Sequence, residues 1–120
     1  MRHGWIFALG LLMPLAAHAA GDVDAGAKEF SKCGICHSAK PGENKIGPSL
    51  AGIVGRPAHS LPDYAYSEAM KKHDVTWNEE TLDTYLTDPR KVVPGTKMIF
   101  PGVKDDSKRH DLIAYLATLK

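Results

Sequence analysis

The only two cysteines of the chain lie three positions apart, and a histidine follows the second one directly, in the pentapeptide C-G-I-C-H at residues 33–37. A C-x-x-C dithiol is typical of thioredoxin-like redox proteins, but there it belongs to a βαβ unit, and this sequence has no run of alternating strand residues. A structural zinc site needs four converging ligands, and Cys33, Cys36 and His37 could supply three at most. A plain disulfide beside an unrelated histidine is a third possibility.

Covalent haem attachment is the fourth possibility, and the one that this motif favours. Two thiols on one turn of the chain can add to the two vinyl groups of a haem, and the histidine after the second cysteine is then held against the iron. The motif therefore predicts one haem c per chain, with thioethers at Cys33 and Cys36 and with His37 as the proximal iron ligand.

The first 20 residues have the order of a secretory signal peptide. A basic start, M-R-H, precedes an apolar run at residues 5–17, and the small residues of A-H-A follow at residues 17–19. An uncleaved membrane anchor is the alternative, but the run is shorter than the roughly 20 residues that span a bilayer. We therefore expect residues 1–20 to be removed on export to the periplasm and residues 21–120 to form one domain.

The charge of the exported part argues against nucleic acid as a partner. The chain has 15 Lys and Arg and 14 Asp and Glu, so removal of Arg2 leaves 14 of each (15 − 1 = 14). A nucleic-acid-binding domain of this size would carry a clear basic excess.

Helical patterns fill much of the rest of the sequence. Apolar residues at helical spacing predict a helix over residues 22–32, capped by Asp22. A short helix is predicted over residues 63–73, and a stronger one begins at Asn78 and ends near residue 88, because a proline follows. A last helix is predicted with Ser107 as its cap.

Two long loops rich in proline and glycine, at residues 38–62 and 92–104, separate these helices. The predicted fold class is therefore all-α. Structureless loops of more than about 12 residues are uncommon in so small a domain. Their presence indicates that something other than side chains fills the core.

The second axial position on a histidine-ligated haem iron can be open, or it can be closed by methionine, histidine or lysine. Met98 lies in a loop bracketed by Pro-Gly pairs, whereas Met70 lies in a helical stretch, where a packing role is the ordinary expectation. The pattern favours Met98. Three histidines remain as rivals: His59, His73 and His110.

Over essentially the whole of residues 21–120 the sequence resembles the class I cytochromes c, in particular their soluble bacterial and mitochondrial-like branch. The segments that carry the resemblance occur in the family's order: G-D-V-D-A-G-A-K-E-F-S-K-C-G-I-C-H, K-I-G-P-S-L-A-G-I-V-G-R, V-T-W-N-E-E-T-L-D-T-Y-L, P-G-T-K-M-I-F-P-G-V and H-D-L-I-A-Y-L. The resemblance implies about four to five helices with long loops wrapped around one covalently bound haem c. It also implies His37 and Met98 as the axial iron ligands.

The resemblance further implies roles for single residues around the haem. Pro48 matches the proline whose carbonyl accepts a hydrogen bond from the proximal histidine. Three residues match those that bond or screen a buried haem propionate: Arg56, Tyr66 and Trp77. Tyr85 and Thr96 match residues on the methionine side, and Phe100 matches the aromatic residue beside the exposed haem edge. Met70 is a departure, since many relatives carry asparagine there.

In function, the resemblance implies a monomeric one-electron carrier and not an enzyme. Its donor would be a quinol–cytochrome c reductase, and its acceptor a terminal oxidase, a reaction centre or a periplasmic reductase. The basic residues expected to ring the docking edge are Lys28, Lys32, Lys45, Arg90, Lys97 and Lys104. Two other hypotheses are a haem enzyme or gas sensor with an open iron site, and a subunit dedicated to one large redox complex.

Overall fold

The structure, a computed structural model, describes residues 21–120 together with Gly4 and Gly10. The elements of residues 21–120 are five α-helices: Val23–Glu29 (α1), Glu68–Lys71 (α2), Glu79–Thr87 (α3), Pro89–Val92 (α4) and Asp106–Leu116 (α5). The predicted all-α fold class is confirmed. Within this described part, no helix is long and apolar enough to cross a membrane. The predicted signal segment, residues 1–20, lies outside it.

Helix α1 begins where the sequence predicts, because the carboxylate of Asp22 accepts hydrogen bonds from the backbone N–H groups of the first turn. A 3₁₀ turn at Phe30–Lys32 continues it toward the C-G-I-C-H segment. Only Gly26 is buried in α1, and there the helix crosses α5. A Cβ atom on Gly26 would overlap the backbone carbonyl of Asp111, so the helices meet main chain to main chain. The ring of Phe30 packs 5.2 Å from that of Tyr115 beside this crossing.

Helix α3 carries a capping box in which Asn78 and Thr81 each accept a hydrogen bond from the other's backbone N–H, at 2.9 Å. It ends at Thr87, as predicted, but Pro89 does not end helical structure altogether. The Asp88 side chain caps a further turn, α4, whose first residue is Pro89. Proline is well suited to that first position, because its missing N–H would have no partner there anyway.

Two other helix boundaries differ from the prediction. The last helix is capped by the side chain of Asp105, which accepts from the N–H of Lys108 at 2.9 Å, so the predicted cap at Ser107 is wrong. The predicted helix over residues 63–73 shrinks to α2, with Ser67 as its cap. The residues before Ser67 instead form a turn and a short loop, and Tyr64 and Tyr66 of this segment reach the interior.

Arg109 fastens α5 to its neighbours. Its buried guanidinium donates to Asp83 on α3 at 2.6 Å, to the carbonyl of Val103 at 2.9 Å and to Asp106 at 2.7 Å. These charge-assisted bonds raise the pKa of Arg109 and lower that of Asp106. The clamp fixes α3 and α5 as two walls of the interior.

Candidate functional site

Between α3, α5 and the long loops lies a largely apolar cavity of about 370 Å³. Leucines of α3 and α5 form much of its wall: Leu82, Leu86, Leu112 and Leu116. All the residues predicted to hold the cofactor or its iron also line it: Cys33, Cys36, His37, Pro48, Arg56, Tyr66, Trp77, Tyr85, Thr96, Met98 and Phe100. The structure thus brings together residues that lie up to 67 positions apart in the chain (100 − 33 = 67).

The C-G-I-C-H segment forms one tight turn directly after the 3₁₀ turn. The N–H groups of Cys36 and His37 both donate to the carbonyl of Cys33, at 3.0 and 2.9 Å. This turn puts both sulfur-bearing side chains and the imidazole on the wall of one cavity. The two thiols are not joined to each other. Burial raises the pKa of the Cys33 thiol to about 11, so it is neutral in the chain before any covalent modification.

The imidazole of His37 is fixed by the loop opposite it. Its Nδ1 lies 2.7 Å from the carbonyl oxygen of Pro48, and because a carbonyl can only accept, Nδ1 carries the hydrogen. Nε2 is then left with a free lone pair. Burial lowers the pKa of His37, and the bond to Pro48 offsets this only in part. The arrangement keeps a neutral, oriented nitrogen ligand at the cavity.

Met98 is carried by the loop after α4. The N–H of Met98 donates to the hydroxyl of Thr96 at 3.3 Å, and Thr96 lines the cavity together with Tyr85. Lys97 reaches across to the carbonyl of Ala65 at 3.1 Å, which ties this loop to the chain before α2. Burial raises the pKa of Tyr85, so its hydroxyl stays protonated and able to donate.

Arg56, Tyr66 and Trp77 form a corner of hydrogen-bond donors in the largely apolar wall, where the backbone N–H of Trp77 donates to the carbonyl of Arg56 at 2.9 Å. Arg56 donates to the carbonyls of Ala51 and Ser49, at 3.1 and 2.9 Å. The Tyr66 oxygen accepts from a backbone N–H at 3.1 Å, which leaves its own O–H free to donate. Burial lowers the pKa of Arg56. Such a corner suits a buried carboxylate of a ligand.

The three histidines that compete with Met98 as candidate iron ligands differ in their position relative to the cavity. His59 lines the cavity, but its Nε2 is 2.7 Å from Asp74. His73 and His110 do not line it. The second methionine, Met70, does line it, from α2.

The predicted basic ring is only partly gathered at the cavity. Lys32 and Lys97 line it, and Lys45 donates to the carbonyl of Gly34, inside the cysteine motif, at 3.2 Å. Lys104 instead binds the carbonyl of Thr87 at 2.6 Å, at the end of α3. Lys28 and Arg90 are exposed and lie outside the lining.

Several lining residues have no counterpart in the sequence-based prediction, among them Ile46, Leu50, Ile53 and Tyr64. Ile46 and Ile99 are 78% and 88% exposed, although both also line the cavity, so they stand at its mouth. Ile46, Leu50 and Ile53 lie in the family-like segment K-I-G-P-S-L-A-G-I-V-G-R, but no role at the cavity was predicted for them or for Tyr64. A further signal was their place in loops too long to be explained by side-chain packing.

Comparison with known proteins shows to which family the chain belongs. The family model described as Cytochrome c matches residues 23–120. The chain belongs to the cytochrome c family. It is 47% identical to a cytochrome c2 of Blastochloris viridis over 107 residues, which cover 88% of this chain and 84% of that protein.

Two further relatives agree with this assignment. A cytochrome c2 of Rhodomicrobium vannielii is 48% identical over 90% of this chain and 87% of its own length. A cytochrome c of Euglena viridis is 48% identical over 83% of this chain and 99% of its own length. This class I c-type cytochrome is therefore an electron-transfer protein and not an enzyme.

Cytochromes c bind haem c covalently, and the cavity fits that group. Two thiols, a neutral imidazole and a thioether line an apolar space that also has one corner of hydrogen-bond donors. Among the described residues, no three His, Cys, Asp or Glu side chains are grouped to hold a metal ion on their own. The two cysteines, one histidine and one methionine that line the cavity are the side chains expected for an iron that a haem macrocycle already holds.

Proposed function

We propose that this cytochrome is a periplasmic one-electron carrier whose haem iron is ligated by His37 and Met98. The observation that carries the proposal is the convergence of the cysteine pair, an oriented imidazole and a loop-held thioether on one apolar cavity. Haem c supplies one-electron cycling between ferrous and ferric iron, and weak thioether ligation with burial favours the reduced state.

The chain's own residues would keep the ligand set unchanged between the two oxidation states. The carbonyl of Pro48 holds His37 by its Nδ1, and the Thr96 hydroxyl and the Lys97–Ala65 bond position the loop of Met98. If His37 and Met98 hold the iron, oxygen and peroxide would find no ready place at it. This favours a carrier over a haem enzyme or a gas sensor.

Cys33 and Cys36 would carry the thioethers, and the polar corner would hold a buried propionate through Arg56, Tyr66 and Trp77. Phe100 would cover the edge of the haem near the cavity mouth. Mutating Arg56 would remove the only cation of that corner, so we expect it to weaken the retention of a charged propionate.

Electrons would enter and leave at the cavity mouth, where exposed apolar side chains are flanked by lysines. Lys32, Lys45 and Lys97 lie there, and Lys28, Arg90 and Lys104 would extend the basic surface further out. Fitting partners are a quinol–cytochrome c reductase as donor and a terminal oxidase, reaction centre or periplasmic reductase as acceptor. The carrier would act as a monomer.

The proposal that the protein is exported depends on residues 1–20, whose composition and order are those of a cleaved signal peptide. The test is the mass of the haem-bearing protein purified from the periplasm. We expect a chain that begins near residue 21, and a chain that keeps residues 1–20 in a membrane fraction would contradict the periplasmic assignment.

The ligand assignment is tested by the optical spectrum of the ferric protein. The weak near-red absorption band of a sulfur-to-iron bond should be present in the wild type and lost in Met98→Ala. Met70→Leu is the matched control, because Met70 also lines the cavity, and it should keep the band. A wild type that lacks the band and whose reduced form readily binds carbon monoxide would overturn the proposal.

A further inference from the structure

The residue that follows His37 is a buried serine whose hydroxyl is fully bonded. Ser38 is only 6% exposed. Its hydroxyl donates to Oε2 of Glu43 at 2.7 Å and accepts from the N–H of Lys40 at 3.0 Å. A carboxylate can only accept and a hydroxyl has one hydrogen, so the direction of both bonds is fixed. Hydrogen bonds to an ionised acceptor are roughly twice as strong as those between neutral groups.

The hydroxyl of Ser38 closes a turn that ends beside Pro48. The carbonyl of Lys40 accepts from the buried hydroxyl of Ser49, the residue after Pro48, at 2.6 Å. Hydrogen bonds therefore connect Glu43 through Ser38 and the backbone of Lys40 to Ser49. The turn leads from an exposed carboxylate to the segment that bonds to the imidazole of His37.

Backbone bonds hold the segment around Pro48 on both sides of His37. The N–H of Gly47 donates to the carbonyl of the residue before His37 at 2.8 Å. The N–H of Leu50 donates to the carbonyl of Ser38, the residue after it, at 2.9 Å. Between these two bonds, the carbonyl oxygen of Pro48 lies 2.7 Å from Nδ1 of His37. Proline has no N–H, so Pro48 is held in place only through its neighbours.

Neither Ser38 nor Glu43 lines the cavity. Any influence of these two residues on a group bound there must pass through the segment of Pro48 and the imidazole of His37. Glu43 is exposed, so a substitution at this position leaves the packing of the cavity wall unchanged.

We propose that Ser38 and Glu43 form a positioning pair that holds the Pro48 carbonyl on Nδ1 of His37 and thereby lowers the reduction potential. The inference rests on the proposed function, in which His37 is an axial ligand of the haem iron. A firm hydrogen bond at Nδ1 makes the imidazole a stronger electron donor, and a stronger donor favours ferric over ferrous iron. Breaking the bond between Ser38 and Glu43 should therefore favour the ferrous form.

The test compares the reduction potentials of four holoproteins: wild type, Ser38→Ala, Glu43→Ala and the double variant. Each single change breaks the same bond. Both should raise the ferrous-to-ferric ratio about twofold against a fixed redox dye, which is within what one hydrogen bond contributes. The double variant should match Ser38→Ala, because residues that act through one bond are not additive.

Two further variants separate the bond from charge and from general effects. Glu43→Gln removes the charge but keeps an oxygen that can accept from Ser38, so its potential should lie closer to the wild type than to Glu43→Ala. Ser31→Ala is the matched control, because the exposed Ser31 hydroxyl also donates at 2.7 Å, to the carbonyl of Lys28. It should leave the potential unchanged. A Glu43→Gln protein that behaves as Glu43→Ala does would show an effect of charge alone and would overturn the inference.

A second measurement follows the bond itself. Exchange of the Nδ1 proton of His37 with deuterium, observed by NMR in the reduced protein, should be roughly tenfold faster in Ser38→Ala and Glu43→Ala, because the Pro48 carbonyl leaves the ring more often. If Ser38→Ala fails to hold haem, the exposed variant Glu43→Ala decides the test.

Unchanged potentials and exchange rates would overturn the inference, and so would a potential that rises while the exchange rate does not. These results are distinct from a failure of the proposed function, which the near-red sulfur band of the wild type reports. With that band present, the ligation by His37 and Met98 stands and only the positioning pair fails.

Discussion

At the scale of single residues, Gly47 shows how closely the loop before Pro48 fits the imidazole of His37. Gly47 is buried, and a Cβ atom there would overlap the imidazole ring of His37. Its own N–H donates to the carbonyl of Cys36 at 2.8 Å, so the loop cannot move away without breaking that bond. Only glycine lets the Pro48 carbonyl reach Nδ1.

Gly47→Ala should therefore displace the His37 ring and destabilise the holoprotein by about 1–3 kcal/mol, the usual cost of overpacking. Gly34→Ala is the control, because a Cβ there would lie 3.5 Å from its nearest neighbour, an ordinary contact. Denaturant unfolding followed by haem absorbance measures both. Equal stability of the two variants would show that the ring has room that the structure does not indicate.

At the level of residues, the sequence is most informative where chemistry is tied to covalent geometry. Cys33, Cys36 and His37 are neighbours in the chain, so their motif alone predicts that they share a site. Arg56 received a role only through the family resemblance, whereas Met98 was already favoured by its loop and the resemblance strengthened that choice. Ile46 and Tyr64 reach the cavity through the same loops, and their residue types carry no functional signal.

At the scale of elements, helix starts were predictable where one polar side chain could cap. Asp22 and Asn78 are the caps expected from the sequence. The cap of the last helix was predicted at Ser107, and Asp105, two residues earlier, makes the capping bond instead. The α4 turn was missed because Pro89 was interpreted as a stop, whereas Asp88 makes it a start. Local sequence rules predict which residues can cap a helix, and the folded structure determines which of them does.

The crossing of α1 and α5 gives a test at this scale. Gly26→Ala gains about 1 kcal/mol of helix propensity. It also pushes a methyl group into the main chain of α5, 2.8 Å from the Cβ of Tyr115. Main chain cannot rotate away as a side chain can, so we expect a net loss of about 2 kcal/mol of unfolding free energy.

Ala27→Ser is the matched control for this variant, because Ala27 lies next to Gly26 on α1 but is exposed. It should change the unfolding free energy by less than about 0.5 kcal/mol. Guanidinium unfolding of the two holoproteins compares them directly. A Gly26→Ala protein as stable as the control would mean that the helices can separate without cost.

At the scale of the whole molecule, the cavity is too large for the chain to keep on its own. Cavities in protein cores cost about 24 cal/mol per Å³. At about 370 Å³ the cost would be about 9 kcal/mol, comparable with the 5–15 kcal/mol that stabilises a typical domain. The long loops and the leucines of α3 and α5 thus require a haem between them.

A variant with both Cys33→Ala and Cys36→Ala, purified without haem, should therefore lack stable tertiary structure. We expect weak near-ultraviolet circular dichroism and no cooperative thermal transition, in contrast to the holoprotein. Met70→Leu holoprotein serves as a control for a mutated cavity that keeps its haem. A cooperative transition in the haem-free chain would show that its walls collapse onto each other.

Electron exchange with partners also belongs to the whole molecule, because residues 21–120 have no net charge while lysines gather at the cavity mouth. Such a charge distribution steers encounters with acidic partners, and salt weakens it. Lys97→Gln removes one charge there and keeps an N–H donor for Ala65. We expect it to slow oxidation by an acidic partner about two- to fivefold at low salt, with the difference fading as salt rises.

Lys108→Gln, at an exposed position of α5 outside the cavity lining, should leave the rate unchanged. Equal slowing by both variants would mean that total charge, rather than charge at the mouth, guides the encounter.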